Sequence, residues 1–134
     1  MQTCKIGIIG FGTVGKGIYK ILKSTNDVHP ILKKVEIVGI AVKNINKKRN
    51  IQLENNLLIN DPYELIKDPK IDVIVEVMGG TDIARDIIIK SLKAGKSVVT
   101  ANKAVIAKYG SEIYSTAAKY GVYVLTEAAV CGGI

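Results

Sequence analysis

The feature that most constrains this chain is the run Gly10-Phe11-Gly12-Thr13-Val14-Gly15, which directly follows the short apolar stretch Lys5 to Ile9. An apolar run ending in glycine reads as a buried strand, and the residues after the glycines change to helical spacing. Val14, Ile18, Ile21 and Leu22 are expected on one face of that helix, with Lys16, Lys20 and Lys23 elsewhere. Three glycines at this spacing between a strand and a helix have separate jobs. Gly10 permits the tight turn, Gly12 lets a ligand approach the backbone, and Gly15 lets the helix pack closely on the strand. The first-turn amides and the helix dipole then face an anion, the pyrophosphate of a dinucleotide. The spacing alone is a weak signal, and a glycine turn without a ligand is the alternative. Position after a strand, at the opening of a helix and near the N-terminus, is what gives it weight.

The rest of the chain repeats the alternation. Ser24 to Pro30 reads as a loop and Val35 to Val42 as the second strand. Asn44 to Asn56 is polar and reads as a surface excursion, with Leu57-Leu58-Ile59 as a short strand after it. Asp61 can cap a helix that has Pro62 at its first position, and Glu64 can reach back as in a capping box. Ile71 to Val77 is the strongest strand, broken only by Asp72 and Glu76, and it ends at Gly79-Gly80. Thr81 is expected to cap a helix burying Ile83, Ile87, Ile88 and Leu92, which Gly95 ends. Ser97 to Thr100 is the next strand, Ser111 to Tyr120 a helix stopped by Gly121, and Val122 to Thr126 the last strand. Strands alternating with helices predict an α/β domain, a Rossmann-type doubly wound parallel sheet with helices on both faces.

Composition fits that reading. The 134 residues suit one domain, residues 1–134, and 48% are hydrophobic with only 5% aromatic and no Trp. The core must therefore be aliphatic, as buried parallel strands are. The net charge of +7 comes mostly from lysines scattered along the chain, without the interleaved aromatics of a base-stacking surface, so no nucleic-acid partner is expected. No apolar run reaches the roughly 18 residues of a membrane helix, and the N-terminus does not resemble a signal peptide. Cys4 and Cys131 form neither a metal-ligand spacing nor a disulfide framework. The expectation is a reduced, cytoplasmic protein. The chain stops at Cys131-Gly132-Gly133-Ile134, directly after a strand, which reads as an interruption.

Two further places bear on chemistry. An acid at the end of the second strand would accept the ribose hydroxyls of NAD. Ile40-Ala41-Val42-Lys43 offers none, and Lys47, Lys48 and Arg49 follow. Basic groups there accommodate a 2′-phosphate, so the sequence leans toward NADP over NAD, with a solvated basic loop as the alternative. The segment Val98 to Ala104, VVTANKA, places Lys103 at the carboxyl end of a strand, where ligands bind in open sheets. Lys103 could touch a cofactor amide, a substrate carboxylate or a carbonyl gaining charge, although a lone lysine after a strand is more often solvated.

Together, GFGTVG at Gly10 to Gly15, VMGG at Val77 to Gly80, VVTANKA, and TEAAVCGGI at Thr126 to Ile134 resemble the N-terminal cofactor domain of homoserine dehydrogenase, over essentially the whole chain. The last two segments are the specific ones. The resemblance implies reversible conversion of L-aspartate 4-semialdehyde to L-homoserine with NADPH or NADH, on the route to threonine, methionine and isoleucine. It implies that Phe11, Thr13 and Val14 contact the cofactor beside Gly10, Gly12 and Gly15. Gly80 joins them, Lys43 takes the place of an NADP-selecting basic residue, and Lys103 reaches the nicotinamide and substrate side. It also implies a monovalent cation, sodium, on oxygens of Glu127, Val130, Gly132 and Ile134. Ala129 and Cys131 depart from the residues frequent there, but both are small and neither removes a carbonyl. The family's substrate-binding and dimerisation domain, with its proton donor, is expected beyond Ile134. The chain is thus expected to be a piece of a longer homo-oligomeric enzyme, not efficient on its own. A dehydrogenase of another amino acid, or a nucleotide-sensing module without catalysis, are the competing readings.

Overall fold

The computed structural model describes residues 3–23, 34–49, 51, 53 and 56–126. Its strands are β1 (Cys4–Ile9), β2 (Val35–Ala41), β3 (Leu58–Ile59), β4 (Val73–Glu76), β5 (Ser97–Thr100) and β6 (Val124–Thr126). The helices are α1 (Thr13–Lys23), α2 (Pro62–Lys67), α3 (Asp82–Lys93) and α4 (Lys103–Tyr120). The strands form one sheet in the order β3-β2-β1-β4-β5-β6, and every pairing is parallel. Chain direction across the sheet therefore reverses between β1 and β4, and a crevice opens outside the carboxyl ends of the strands at such a point.

Successive side chains on a strand face opposite ways, and here they feed two separate cores. Ile6, Ile8, Ile37, Ile40 and Val75 pack with Phe11 and Tyr19 from the α1 side. Ile9, Ala41, Ile74 and Val98 pack with α2, α3 and α4 on the other face. Leu65 of α2 fills the space left by Gly7 and Gly39: a Cβ on Gly39 would lie 2.7 Å from its Cδ2. The expected doubly wound sheet with helices on both faces is what forms. The loop expected over 24–30 and the segment 127–134 lie outside the described residues.

Several helix details differ from the sequence expectation. On α1 the buried positions are Gly15 and Tyr19, with Ile18 and Leu22 beside them, whereas Val14 (45%) and Ile21 (55%) are exposed. The Tyr19 ring, edge-on to Phe11 at 6.0 Å, rotates the buried stripe away from them. On α3, Ala84, Ile87, Ile88 and Leu92 are buried while Ile83 is 59% exposed. Thr81 precedes α3 without a side-chain capping bond. Helix α4 begins eight residues earlier than Ser111, at Lys103, because Asn102 caps it through Oδ1, which accepts from the Val105 amide at 3.0 Å. Val105, Ile113 and Ala117 continue its buried stripe past Gly110, overriding a glycine's cost of about 1 kcal/mol. The excursion after β2 is not purely solvated either, since Ile51 and Leu53 pack on the α1-side core.

Other local signals hold. Asp61 accepts from the Tyr63 amide at 2.9 Å with Pro62 at the first position of α2, and Gly121 ends α4 with φ 68°. Side-chain ties then lock the helical layer. The Tyr63 hydroxyl donates to Asp86 at 2.6 Å, which pushes the Tyr63 pKa up to about 12. Arg85 pairs with Glu112 across α3 and α4.

The burial pattern of α3 separates two identical side chains. Ile87→Ala is expected to cost about 2–5 kcal/mol in denaturant unfolding because it empties a fully buried site. Ile83→Ala, exposed on the same helix, should change stability by no more than about 0.5 kcal/mol. Comparable losses from both would mean α3 is rotated from the orientation described.

Candidate nucleotide-binding site

The turn after β1 is built by contact between backbones. The Gly10 amide donates to Ala41 O at 2.9 Å, and the Val77 amide donates to Ile9 O at 2.9 Å, so the end of β1 is pinned on both sides. Gly10 has φ +103°, and a Cβ on it would lie 2.9 Å from Met78 Cα. A Cβ on Gly15 would lie 2.7 Å from Gly10 O, so only glycine lets α1 start this close to the strand. A Cβ on Gly12 would meet nothing within 4 Å. Its Cα therefore faces open space, where a ligand can approach the main chain. The expected steric roles of Gly10 in the turn and of Gly15 in the helix–strand contact are met, and Gly12 leaves its backbone open. The first α1 bond is Lys16 N to Gly12 O at 2.9 Å, so the amides before it have no partner within the helix.

Over this turn lies a cavity of about 570 Å³. Its lining includes Gly10, Phe11, Gly12, Lys16, Lys43 and Arg49. Lys43, exposed just past β2, stands on its rim with Lys47. Arg49 is held by its own loop: its guanidinium donates to Lys47 O at 3.0 Å and to Asn44 O at 2.8 Å. Lys16, which the periodicity assigned only to a polar helix face, also lines the cavity. Four cations thus surround one half of the crevice, suiting an anionic ligand.

The other candidate residues sit elsewhere on the same sheet edge. Thr13 and Val14 are exposed on the first turn of α1, outside the cavity lining. Gly80 and Lys103 lie past the ends of β4 and β5 and are joined through Asn102, whose Nδ2 donates to Gly80 O at 2.5 Å. Lys103 is exposed at the first position of α4, the helix end that carries the positive pole of the dipole. Between α3 and α4, the Tyr109 hydroxyl and Lys108 hold the Asp82 carboxyl below its usual range. Behind Asn102 is a pair the sequence reading did not nominate: fully buried Glu76, and Thr100, bonded to it at 2.6 Å. The only signal was an acid interrupting an apolar strand. The four oxygens expected to hold sodium, on Glu127, Val130, Gly132 and Ile134, lie outside the described residues.

Comparison with known proteins converges. The family model described as homoserine dehydrogenase, NAD binding domain, matches residues 10–127. A homoserine dehydrogenase of a Synechocystis species is 46% identical over 133 residues, covering 99% of this chain and 31% of that protein. One from Bacillus subtilis is 38% identical over 136 residues, covering 100% and 31%. Among solved structures, a homoserine dehydrogenase from Thiobacillus denitrificans superposes with a TM-score of 0.82 at 37% identity, over 96% of this chain and 31% of that one. A homoserine dehydrogenase from S. aureus at pH 7.0 gives 0.84 at 34% identity, over 96% and 33%. The chain thus spans about a third of the length of the relatives it matches.

The glycine geometry separates folding from binding. Gly12→Val should alter unfolding free energy by about 1 kcal/mol or less, since its Cβ enters open space. It should weaken NADPH or NADH binding at least about tenfold by blocking the approach to the main chain. Gly15→Val should instead destabilise the fold by roughly 1–3 kcal/mol through overpacking. Unchanged nucleotide affinity in Gly12→Val would place the ligand elsewhere.

Proposed function

The chain belongs to the homoserine dehydrogenase family, as its NAD-binding domain, and on that premise we propose that it binds NADP(H) in preference to NAD(H). We place it within a longer enzyme that interconverts L-homoserine and L-aspartate 4-semialdehyde. The observation that carries the cofactor reading is the cavity at the strand-order reversal, floored by the glycine turn and ringed by Lys16, Lys43, Lys47 and Arg49. The residues suit a dinucleotide: Gly12 leaves its backbone open to approach, and the rim is cationic with no acid at the end of β2.

In this reading Gly10, Phe11, Gly12, Thr13, Val14 and Gly15 receive the pyrophosphate on the first-turn amides of α1. Lys43 meets the 2′-phosphate, assisted by Lys47 and by Arg49, which its own loop already orients. Gly80 and Lys103 border the nicotinamide and the substrate. The bound cofactor supplies hydride exchange at the substrate's oxidisable carbon. Lys103 offers a cation to the oxygen on which charge develops. The proton donor, the substrate pocket and the dimer interface belong to residues beyond Ile134. Glu127, Val130, Gly132 and Ile134 would hold sodium through hard oxygen donors. The whole enzyme would act in the cytoplasm as a homo-oligomer on a small-molecule substrate, with no nucleic-acid partner. No helix among the described residues is long and apolar enough to cross a membrane.

Separate fluorescence titrations with NADPH and NADH test the cofactor preference. NADPH should bind about tenfold or more tightly than NADH, and Lys43→Ala should reduce that advantage by roughly threefold or more. Equal or tighter NADH binding removes the NADP preference. In the same preparation, homoserine oxidation followed by NADPH absorbance should be negligible for the 134 residues alone. Efficient turnover would overturn the assignment of the proton donor to a further domain.

A further inference from the structure

Glu76 is the last residue of β4 and has no exposed surface. Its Oε2 accepts from the Met78 amide at 2.9 Å, and its Oε1 accepts from the Thr100 hydroxyl at 2.6 Å. Thr100 Oγ1 in turn accepts from the Asn102 amide at 3.0 Å. A hydroxyl has a single proton to give. Thr100 gives that proton to the carboxylate while accepting from the Asn102 N–H, so Glu76 receives one donor on each oxygen. The ion pairs seen among the described residues, Arg85–Glu112, Lys90–Asp86 and Lys108–Asp82, do not include it. Burying a carboxylate is costly, and the field of a buried charge is little screened by salt.

We infer that Glu76 is a specificity-determining residue for the redox state of the cofactor: its buried charge makes the crevice favour the oxidised nicotinamide over the reduced one. The inference rests on the proposed function, in which the nicotinamide half lies over the ends of β4 and β5. The oxidised ring carries a positive charge and the reduced ring carries none. A fixed negative charge beneath them therefore stabilises one form and not the other. Lys103, which follows Asn102 directly, opposes that charge, but it is exposed, and water and salt screen it. The same carboxylate also positions the site: through Thr100 and Asn102 it connects β4, the Gly80 carbonyl and the first turn of α4.

Binding of NADP+ and of NADPH to this chain, measured by calorimetry, distinguishes charge from structure. Glu76→Gln should lower NADP+ affinity about three- to tenfold more than NADPH affinity. Thr100→Val breaks the network but keeps the carboxylate, and it should leave the ratio of the two affinities within about twofold of the unmutated protein. Should Glu76→Gln not fold, the double variant Glu76→Met with Thr100→Val replaces both partners by apolar groups and should shift the ratio as Gln would. Equal losses for both nucleotides in the uncharged variants overturn the inference and leave Glu76 a structural group. If the unmutated chain binds neither nucleotide, the cofactor reading itself fails before any variant is compared.

Discussion

The organising constraint of this domain is the approach of three backbones at Gly10. The Gly10 amide donates to Ala41 O of β2 and the Val77 amide, just past β4, donates to Ile9 O, which fixes the turn, and α1 presses onto it so closely that Gly15 leaves no room for a side chain. Nothing bulkier fits at Gly10 or Gly15 without moving β4 or α1. This tight seam lies where the strand order reverses, so the elements following β1 and β4 diverge and leave the crevice between them. Fold and candidate site therefore share one steric requirement. Of the three glycines of the turn, Gly12 alone faces open space and is free of a packing role.

The second half of the crevice is organised by polar groups instead of by close packing. Glu76, Thr100 and Asn102 form one buried network whose ends are the Met78 amide, the Gly80 carbonyl and the Val105 amide. Each of its atoms is satisfied, which is the condition under which a buried polar network specifies geometry rather than weakening the core. The helices behind it are tied to one another by Tyr109 on Asp82 and Arg85 on Glu112, so α4 cannot shift without breaking those bonds.

The sequence made legible whatever depends on neighbours along the chain. Aliphatic runs marked the strands, and Ser97 to Thr100 has the expected limits. The glycine spacing predicted three steric roles, and Asp61, Pro62 and Gly121 marked helix ends. What stayed hidden depends on partners far along the chain. The buried face of α1 follows the Phe11–Tyr19 contact, which a count of aliphatic residues passes over. The start of α4 depends on Asn102 acting as a cap while its amide group is also held by Gly80, 22 residues away. Lys16 and Arg49 look like ordinary solvated cations until α1 and the loop after β2 bring them to one cavity. Glu76 looked like an interruption because its partner Thr100 lies on another strand.

These two halves hold charge in opposite ways, with a physical consequence. Lys43 and Lys47 stand at an open rim, where water and salt screen them, so any contribution they make to binding varies with ionic strength. Glu76 is sealed from solvent, and its field acts at nearly constant strength whatever the salt. Affinity for the phosphate end and preference for one redox state of the ring are then separable properties. The first resides in an exposed cationic rim that single surface substitutions can retune. The second resides in a carboxylate whose removal must also satisfy the hydroxyl of Thr100 and the amide of Met78. A change of cofactor type is therefore sterically and energetically easier in this domain than a change in its redox bias.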